Sequence, residues 1–192
     1  MAAASVPSRI LAFLAAALLA FAAAPAFAAV QITFYSKELG SSFPHAFVTV
    51  TGTPDRGGPA VDEDYGFTAK AVTPAILFGR VGGEVITNHT ESYVKASDPH
   101  FSLTLTDAEF DRVMETVARW RALKQPSYDL DKANCVHFVG EIAAAAGLRI
   151  AVRKGLMKKP RSYLEALAAL NADWLAGRGA TVHRAAAKKA GR

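Results

Sequence analysis

The chain has 192 residues, 20% of them charged, with a formal net charge of +5 and a single cysteine. One cysteine excludes an internal disulfide, and one cysteine with five scattered histidines offers no closely spaced set of zinc ligands. Much of the positive charge lies after Leu148, where it suits an anionic envelope surface such as phospholipid headgroups or wall polymers.

The first 28 residues have the pattern of an export signal. Arg9 precedes an apolar run over residues 10–24, Pro25 interrupts the run, and Ala26-Phe27-Ala28 matches a signal-peptidase site. An uncleaved membrane anchor is the alternative, but the apolar run of about 15 residues is shorter than the ~20 that a spanning helix needs. We therefore expect cleavage near Ala28, a periplasmic or secreted protein without a stable transmembrane anchor, and no nucleic-acid partner.

Five segments after the signal have strand character, because β-branched and aromatic residues recur in them between loops rich in Gly and Pro. They cover residues 31–35, 45–51, 65–68, 84–87 and 101–105. Helical patterns take over after them. Strands first and helices afterwards predict an α+β fold, in which an antiparallel sheet packs against a helical layer. We expect a single domain over residues 29–176.

Three helices are predicted in the second half of the chain. Thr106 and Glu109 form a capping box that begins the first helix, which runs to about residue 123. The second begins after Asn134, a residue type that caps helix N-termini, and ends before Gly147. The third covers residues 161–175. After it, the basic, Ala-rich residues 177–192 lack an apolar face and are predicted to form a disordered tail.

Cys135 lies in the first turn of the second predicted helix, directly after Asn134. Free backbone N–H groups and the positive end of the helix dipole stabilise a thiolate there and lower its pKa. The same N–H groups can hold an oxyanion. The alternative is a small buried cysteine on an apolar helix face. We predict that Cys135 is a nucleophile.

A thiol nucleophile needs a general base, which is most often histidine. His45 begins a predicted strand directly after Pro44, at a sheet edge where a side chain can face a cleft. His137 is two residues beyond Cys135, about 200° around the helix, which indicates a structural role. His89 and His100 lie in loop-like contexts and remain alternatives for the base.

The segment Asn134-Cys135-Val136-His137-Phe138-Val139 resembles the cysteine motif of the NlpC-type papain-like hydrolases, with Tyr128 upstream and Gly147-Leu148 closing the helix. The histidine precedes the cysteine, which is the order of the circularly permuted branch that includes the lecithin retinol acyltransferase-like proteins. Asn134 to Phe138 is similar to that group's Asn-Cys-Glu-His-Phe motif, with Val136 in place of the acidic residue. The segment Pro44-His45-Ala46-Phe47-Val48 resembles its histidine-bearing strand.

The resemblance covers about residues 32–148 and implies a permuted papain-like fold. It implies Cys135 as the nucleophile, His45 as the general base and Tyr128 as a tyrosine that helps to polarise the carbonyl. Asn134 is expected on the oxyanion side. A third polar residue should orient the imidazole from the neighbouring strand.

The candidates for this third residue are Asp64, Thr68 and His89. Three functions then fit the sequence, none of which needs a cofactor or a metal. The first is an exported thiol amidase or peptidase that acts on peptidoglycan peptides. The second is a lipid acyl hydrolase or acyltransferase, and the third is a catalytically inactive binding or scaffold domain.

Overall fold

A computed structural model describes residues 29–38, 43–71, 73–87, 89–150 and 153–183. Within these residues, seven strands form one sheet in the order β6-β4-β3-β2-β1-β5-β7, and every neighbouring pair is antiparallel. The strands are β1 (Val30–Lys37), β2 (His45–Gly52), β3 (Val61–Ala69), β4 (Val81–Ile86), β5 (Asp98–Leu105), β6 (Ser127–Tyr128) and β7 (Thr181–Val182). The predicted signal peptide lies outside the described residues.

The helices follow mainly after the fifth strand, so the α+β class is confirmed. They are α1 (Glu91–Lys95), α2 (Asp107–Arg121), α3 (Cys135–Ala145), α4 (Pro160–Leu170) and α5 (Ala172–Gly177), with 3-10 turns at Pro74–Leu77 and Lys154–Leu156. Helix α3 packs on strands β2 and β3, and α4 packs on β1 and β5. The helical layer thus covers one face of the sheet.

The two faces of the sheet differ, and strand β2 separates them clearly because successive side chains point to opposite sides. Ala46, Val48 and Val50 are fully buried in the core that the sheet shares with the helices. Phe47 points the other way, where its ring stacks on Tyr35 with the centroids 5.1 Å apart. We call the side of Phe47 the outer face.

Both predicted helix starts are confirmed. Thr106 Oγ1 accepts the Glu109 backbone N–H at 3.3 Å, and the Thr106 backbone N–H donates to Glu109 Oε2 at 2.9 Å, which completes the capping box of α2. Asn134 Oδ1 accepts the backbone N–H of Val136 at 2.8 Å at the start of α3. That helix ends before Gly147, whose φ of +94° is the left-handed conformation that favours glycine at this position.

The third predicted helix is two helices in the structure, and Asn171 divides them. Its buried side-chain amide donates to the carbonyl oxygens of Arg149 and Leu167 at 2.9 Å each, and its Oδ1 accepts the Arg149 backbone N–H at 2.9 Å. The amide therefore ties the end of α4 to the chain that follows α3. Periodicity alone did not reveal this long-range contact.

The predicted tail begins with ordered structure. Gly177 is the last residue of α5, and Thr181–Val182 forms β7 at the sheet edge, where it pairs with β5. His183 Nε2 bonds Ser102 Oγ at 2.9 Å, which fastens this strand further. Residues 184–192, the rest of the predicted tail, lie outside the described residues.

Candidate active site

The start of α3 fixes the position of Cys135. Asn134 is 1% exposed, and its side-chain amide donates to the carbonyl oxygens of Leu130 at 2.7 Å and Met157 at 2.8 Å. Its Oδ1 caps the helix through Val136, as described above. Asn134 thus holds the first turn of the helix, and it contacts the backbone instead of an open oxyanion position.

Hydrogen-bond donors surround the Cys135 sulfur. The Tyr128 hydroxyl donates to Sγ across 3.8 Å. The backbone N–H groups of Ala46, of Val136 and of Cys135 itself also lie against the sulfur and act to lower its pKa. Ala46 belongs to β2, so the sulfur lies between the start of the helix and the start of the strand that His45 begins.

Burial nevertheless raises the pKa of the Cys135 thiol above its ordinary value, and the hydrogen bonds offset only part of this effect. The side chain is 3% exposed. We expected the helix start to lower this pKa, and that expectation is wrong because the loss of solvent outweighs the helix end. The resting cysteine is therefore a neutral thiol.

His45 lies at the start of β2, and its imidazole belongs to the outer face. The ring is nearly parallel to that of Phe47, with the centroids 6.1 Å apart. Burial, and after it the charge of the neighbouring His89, lowers the pKa of His45 to about 3. The imidazole is therefore neutral, which is the form that can accept a proton.

The Nε2 atom of His45 is buried and has no hydrogen-bond partner among the described residues. It is the only buried side-chain nitrogen or oxygen of that part of the chain for which this is true. No hydrogen bond therefore joins His45 Nε2 to the Cys135 sulfur. Orphaned buried polar atoms are rare in folded proteins and often mark a site whose partner arrives with the substrate.

Asp64 and His89 form a polar pair next to His45. Asp64 Oδ1 bonds His89 Nδ1, and the His89 backbone N–H donates to Asp64 Oδ2 at 3.1 Å. The rings of His89 and His45 lie 5.5 Å apart between centroids. Of the three candidates for the orienting residue, His89 therefore lies against the imidazole of His45, and Asp64 holds His89.

Thr68 is separate from this pair. It is half-buried on β3 opposite Glu84, and no hydrogen bond within the described ranges connects its side chain to His45 or His89. His137 and His100 are also engaged elsewhere. His137 Nδ1 lies 3.0 Å from Asn134 Oδ1 at the helix cap, which agrees with the structural role predicted for it.

His100 was expected to lie in a loop, but it belongs to strand β5. Its Nε2 bonds Ser36 Oγ at 2.8 Å. Both side chains are buried. The Nε2 atom of His100 is thus already engaged in a hydrogen bond, whereas that of His45 is not.

Gly66 makes the approach of the two imidazoles possible. A Cβ atom at this position would lie 2.6 Å from His45 Nε2 and 3.2 Å from His89 Cε1. Any side chain would therefore displace one ring or both. The sequence analysis treated Gly66 only as part of a strand, although a glycine inside a strand is itself a signal of a close approach.

Tyr93 on α1 also escaped the sequence analysis, because a five-residue helix has too short a pattern to be recognised. Its ring stacks on His89 with the centroids 4.7 Å apart. Burial raises the pKa of Tyr93, and a negative charge on Cys135 would raise it further. Burial and then the charge of Cys135 likewise raise the pKa of Tyr128, so both hydroxyls keep their protons.

A groove of about 540 Å³ runs over the outer face of the sheet. Asp64 and His89 line it at one end, so the polar pair connects the site to open solvent. The other lining residues are mostly polar or acidic: Gln31, Thr33, Tyr35, Thr49, Thr51, Asp62, Glu63, Thr87, Glu91 and Val94.

Two searches of the described residues give negative findings. No three of their His, Cys, Asp and Glu side chains are grouped so that they could hold a metal ion. None of the helices in these ranges has the length and apolar character needed to cross a membrane.

Comparison of the chain with family models, with curated proteins and with solved structures gives no match. The geometry around Cys135 and His45 is therefore the basis for a candidate function.

Proposed function

We propose that the protein is an exported thiol hydrolase of the permuted papain-like type, in which Cys135 is the nucleophile and His45 the general base. The observation that carries the proposal is the buried, unpartnered Nε2 of His45, a residue that directly precedes a backbone N–H lying against the neutral thiol of Cys135. The backbone links the two groups, because Ala46 follows His45 and its N–H lies against the sulfur. A structural histidine would satisfy its buried nitrogen.

The catalytic cycle begins with a neutral thiol and a neutral imidazole. When a substrate carbonyl enters, Nε2 of His45 accepts the proton of Cys135 as Sγ attacks the carbonyl carbon. Since no hydrogen bond joins the two groups at rest, the imidazole must shift toward the sulfur. This shift breaks no hydrogen bond of Nε2, because that atom has none.

The donors now directed at the sulfur can stabilise the tetrahedral intermediate. The N–H groups of Ala46 and Val136 and the Tyr128 hydroxyl lie against the sulfur, so they are near enough to donate to an oxyanion that forms on the carbon bonded to it. His45 then gives its proton to the leaving amine or alcohol, and a thioester remains on Cys135. Water attacks the thioester, His45 accepts a proton from that water and returns one to the sulfur, and the acid product leaves.

His89 and Asp64 act as positioning residues for His45. Asp64 fixes Nδ1 of His89 and so the plane of its ring, which contacts the ring of His45. The hydrogen-bonded pair of His89 and Asp64 therefore restricts how the imidazole of His45 can move. The charge of His89 also lowers the pKa of His45, in the same direction as burial does.

The predicted export places peptide amides of the cell wall within reach, and we propose them as the first substrate class. A lipid acyl hydrolase or acyltransferase is the second candidate. It is favoured by one observation, the exposed apolar side chains of Leu77 and Phe78 at the end of the sheet that carries the site.

The test uses a chromogenic acyl ester, p-nitrophenyl acetate, as a general probe of thiol acylation. We expect a burst of nitrophenol and one acetyl group on Cys135 by mass spectrometry of the intact protein and its peptides. Cys135→Ala and His45→Gln should both lose the burst. His183→Gln is the matched control, because His183 is a histidine outside the site.

Two results would count against the proposal. One is hydrolysis that persists in Cys135→Ala. The other is a folded wild-type protein whose thiol is not acylated, which would favour the binding or scaffold domain. Peptidoglycan fragments and phospholipid vesicles, assayed in parallel with the Cys135→Ala protein, then decide between the two substrate classes.

A further inference from the structure

The turn between β3 and β4 exposes two large apolar side chains in succession. Leu77 is 62% exposed and Phe78 is 88% exposed, the highest value among the exposed large hydrophobic residues of the described chain. Ile76 beside them is 5% exposed and belongs to the main core. Ile76 therefore anchors the 3-10 turn Pro74–Leu77 in the core, while Leu77 and Phe78 are exposed to solvent.

This turn adjoins the candidate active site through the short strand pair β4–β6. Val81 follows the turn and pairs with Tyr128, whose hydroxyl donates to the Cys135 sulfur. Arg80 donates to Ser127 Oγ at 3.2 and 2.9 Å, which fixes the end of the turn to β6. The exposed pair therefore belongs to the end of the sheet that holds the thiol.

Phe43 extends the apolar character of this end. It is 43% exposed and lies two residues before His45, at the start of β2. Strand β2 is antiparallel to β3, so its start and the end of β3 lie at the same end of the sheet. Two chain segments beside the candidate nucleophile and base thus expose large apolar groups.

The charges around the turn select the kind of surface that it can meet. Lys70 and Arg80 are both exposed and flank the apolar tip, and residues 70–82 contain no acidic residue. The stem of Lys70 lies along Gly82, with its Cδ 3.6 Å from the position of a Cβ there, so its ammonium group is free to reach outward. Two cations around an apolar tip match anionic headgroups above an acyl layer.

A second copy of the chain fits this surface less well. Two such turns brought together would place Lys70 and Arg80 against their own copies, and like charges repel at short range. A lipid surface instead accepts the apolar tip and both cations at once.

We propose that residues 70–71 and 73–82, which we call the β3–β4 turn, dock on an anionic phospholipid bilayer with Leu77 and Phe78 inserted. Docking brings the Cys135 end of the sheet to the membrane surface. The inference does not depend on the chemistry of the thiol, so Cys135→Ala protein should bind vesicles as well as the wild type does.

The first test reports insertion at one position. Phe78→Trp protein, expressed from the full reading frame, is mixed with vesicles of phosphatidylcholine and phosphatidylglycerol, with and without brominated acyl chains. We expect a blue shift of the added emission and its quenching by bromine. Val182→Trp is the matched control, since Val182 is also exposed, at 53%, but lies on β7.

The second test measures binding by flotation of the same vesicles. The double variant L77S/F78S should lose about a hundredfold in partition coefficient, because the transfer free energy of each large side chain is worth about a factor of ten. K70Q/R80Q should lose about fivefold per cation on vesicles with phosphatidylglycerol. It should lose nothing on phosphatidylcholine alone, and V182S should bind as the wild type does.

Three results would overturn the proposal. One is emission at position 78 that bromine does not quench, and another is equal flotation of L77S/F78S and wild type. The third is a concentration-dependent dimer that L77S/F78S abolishes without any vesicle binding, which would assign the turn to a second copy. Because Ile76 is unchanged, each variant should keep the wild-type thermal midpoint, which circular dichroism checks.

Discussion

The two faces of the sheet contribute different chemistry to one site. On the face covered by helices, Cys135 lies in an apolar core, and Tyr128 and backbone N–H groups are its polar contacts. On the outer face, Asp64 and His89 form a polar pair that lines an open groove. The ring of His45 lies next to that of His89 on the outer face. Ala46, the next residue in the strand, contacts the Cys135 sulfur through its backbone N–H.

The difference between the faces explains why both reactive groups are neutral. Burial is the largest influence on each group, and it acts in opposite directions on their pKa values: it raises that of the Cys135 thiol and lowers that of the His45 imidazole. A thiolate–imidazolium ion pair is therefore not the resting state. On the outer face, the charge of His89 adds to burial in lowering the pKa of His45.

Replacement of the thiol removes the reactive group on the helix-covered face of the sheet, and it should have the largest effect on kcat. Cys135→Ser should lower kcat for acyl ester hydrolysis by about 10⁴-fold or more, because a hydroxyl is far less acidic and a far weaker nucleophile than a thiol. The measurement is steady-state hydrolysis of p-nitrophenyl acetate. Wild-type rates in Cys135→Ser would assign the reaction to another residue, and an unchanged thermal midpoint controls for folding.

Replacement of the base separates catalysis from stability. His45→Leu should lower kcat by about 10²- to 10⁴-fold, which is the usual contribution of a general base. Its free energy of unfolding should stay constant or rise by about 1 kcal/mol, because the substitution removes a buried polar atom that has no partner.

Urea unfolding measures the stability of His45→Leu. Phe47→Leu, on the same face and strand, is the control, and it should lose stability because it leaves a cavity. A His45→Leu protein that loses as much stability as Phe47→Leu would indicate that the imidazole is structural.

Local patterns in the sequence predicted the parts of the site that neighbouring residues determine. The caps at Thr106 and Asn134 act within one helical turn, so they fixed where α2 and α3 begin and placed Cys135 at a helix start. The strand of His45 followed from its β-branched residues. The coarse fold and the elements that carry both reactive residues were therefore predictable.

The rest depends on contacts between residues far apart in the chain. Asp64 and His89 are 25 residues apart, and only the folded sheet shows that the carboxylate holds His89 instead of His45. The pKa of Cys135 also depends on how deeply the helix start is covered, which no local pattern reports. The position of Gly66 beneath two imidazoles is a third example, because it requires the register of β2 on β3.

Acid should lower the free energy of unfolding of the protein through its effect on His45. The folded protein keeps His45 neutral down to about pH 3, whereas the unfolded chain binds a proton below its ordinary pKa of 6.5. The unfolded state therefore binds more protons in this range, and stability falls as the pH falls. Between pH 6.5 and about pH 4 the loss from His45 could reach roughly 3 kcal/mol.

The measurement is urea unfolding of wild type and His45→Leu at both pH values. Other groups also lose stability in acid, such as Glu109, whose pKa the Arg178 hydrogen bonds lower to about 2. The difference between the two proteins cancels these contributions. A difference that does not change with pH would mean that His45 is exposed to solvent in the folded state.

The smallest expected effect comes from the outer face. Asp64→Asn removes the charge that holds His89, and we expect kcat to fall about tenfold while KM stays constant, since general-base geometry is lost and not substrate binding. Asp62→Asn is the matched control: Asp62 lies on the same strand and lines the same groove, but it is exposed.

A merely structural Asp64 would lower stability and leave the pH dependence of kcat unchanged. A positioning Asp64 instead changes that dependence, because Asp64 holds His89 in place and His89 contributes to the low pKa of His45. With the carboxylate gone, His89 is no longer held beside the imidazole of His45, so its contribution falls and the pKa of His45 should rise. The acid limb of the kcat profile should then move to higher pH in Asp64→Asn and stay in place in Asp62→Asn. If both variants keep the wild-type limb, the outer face does not tune the base, and the two sides of the sheet act independently.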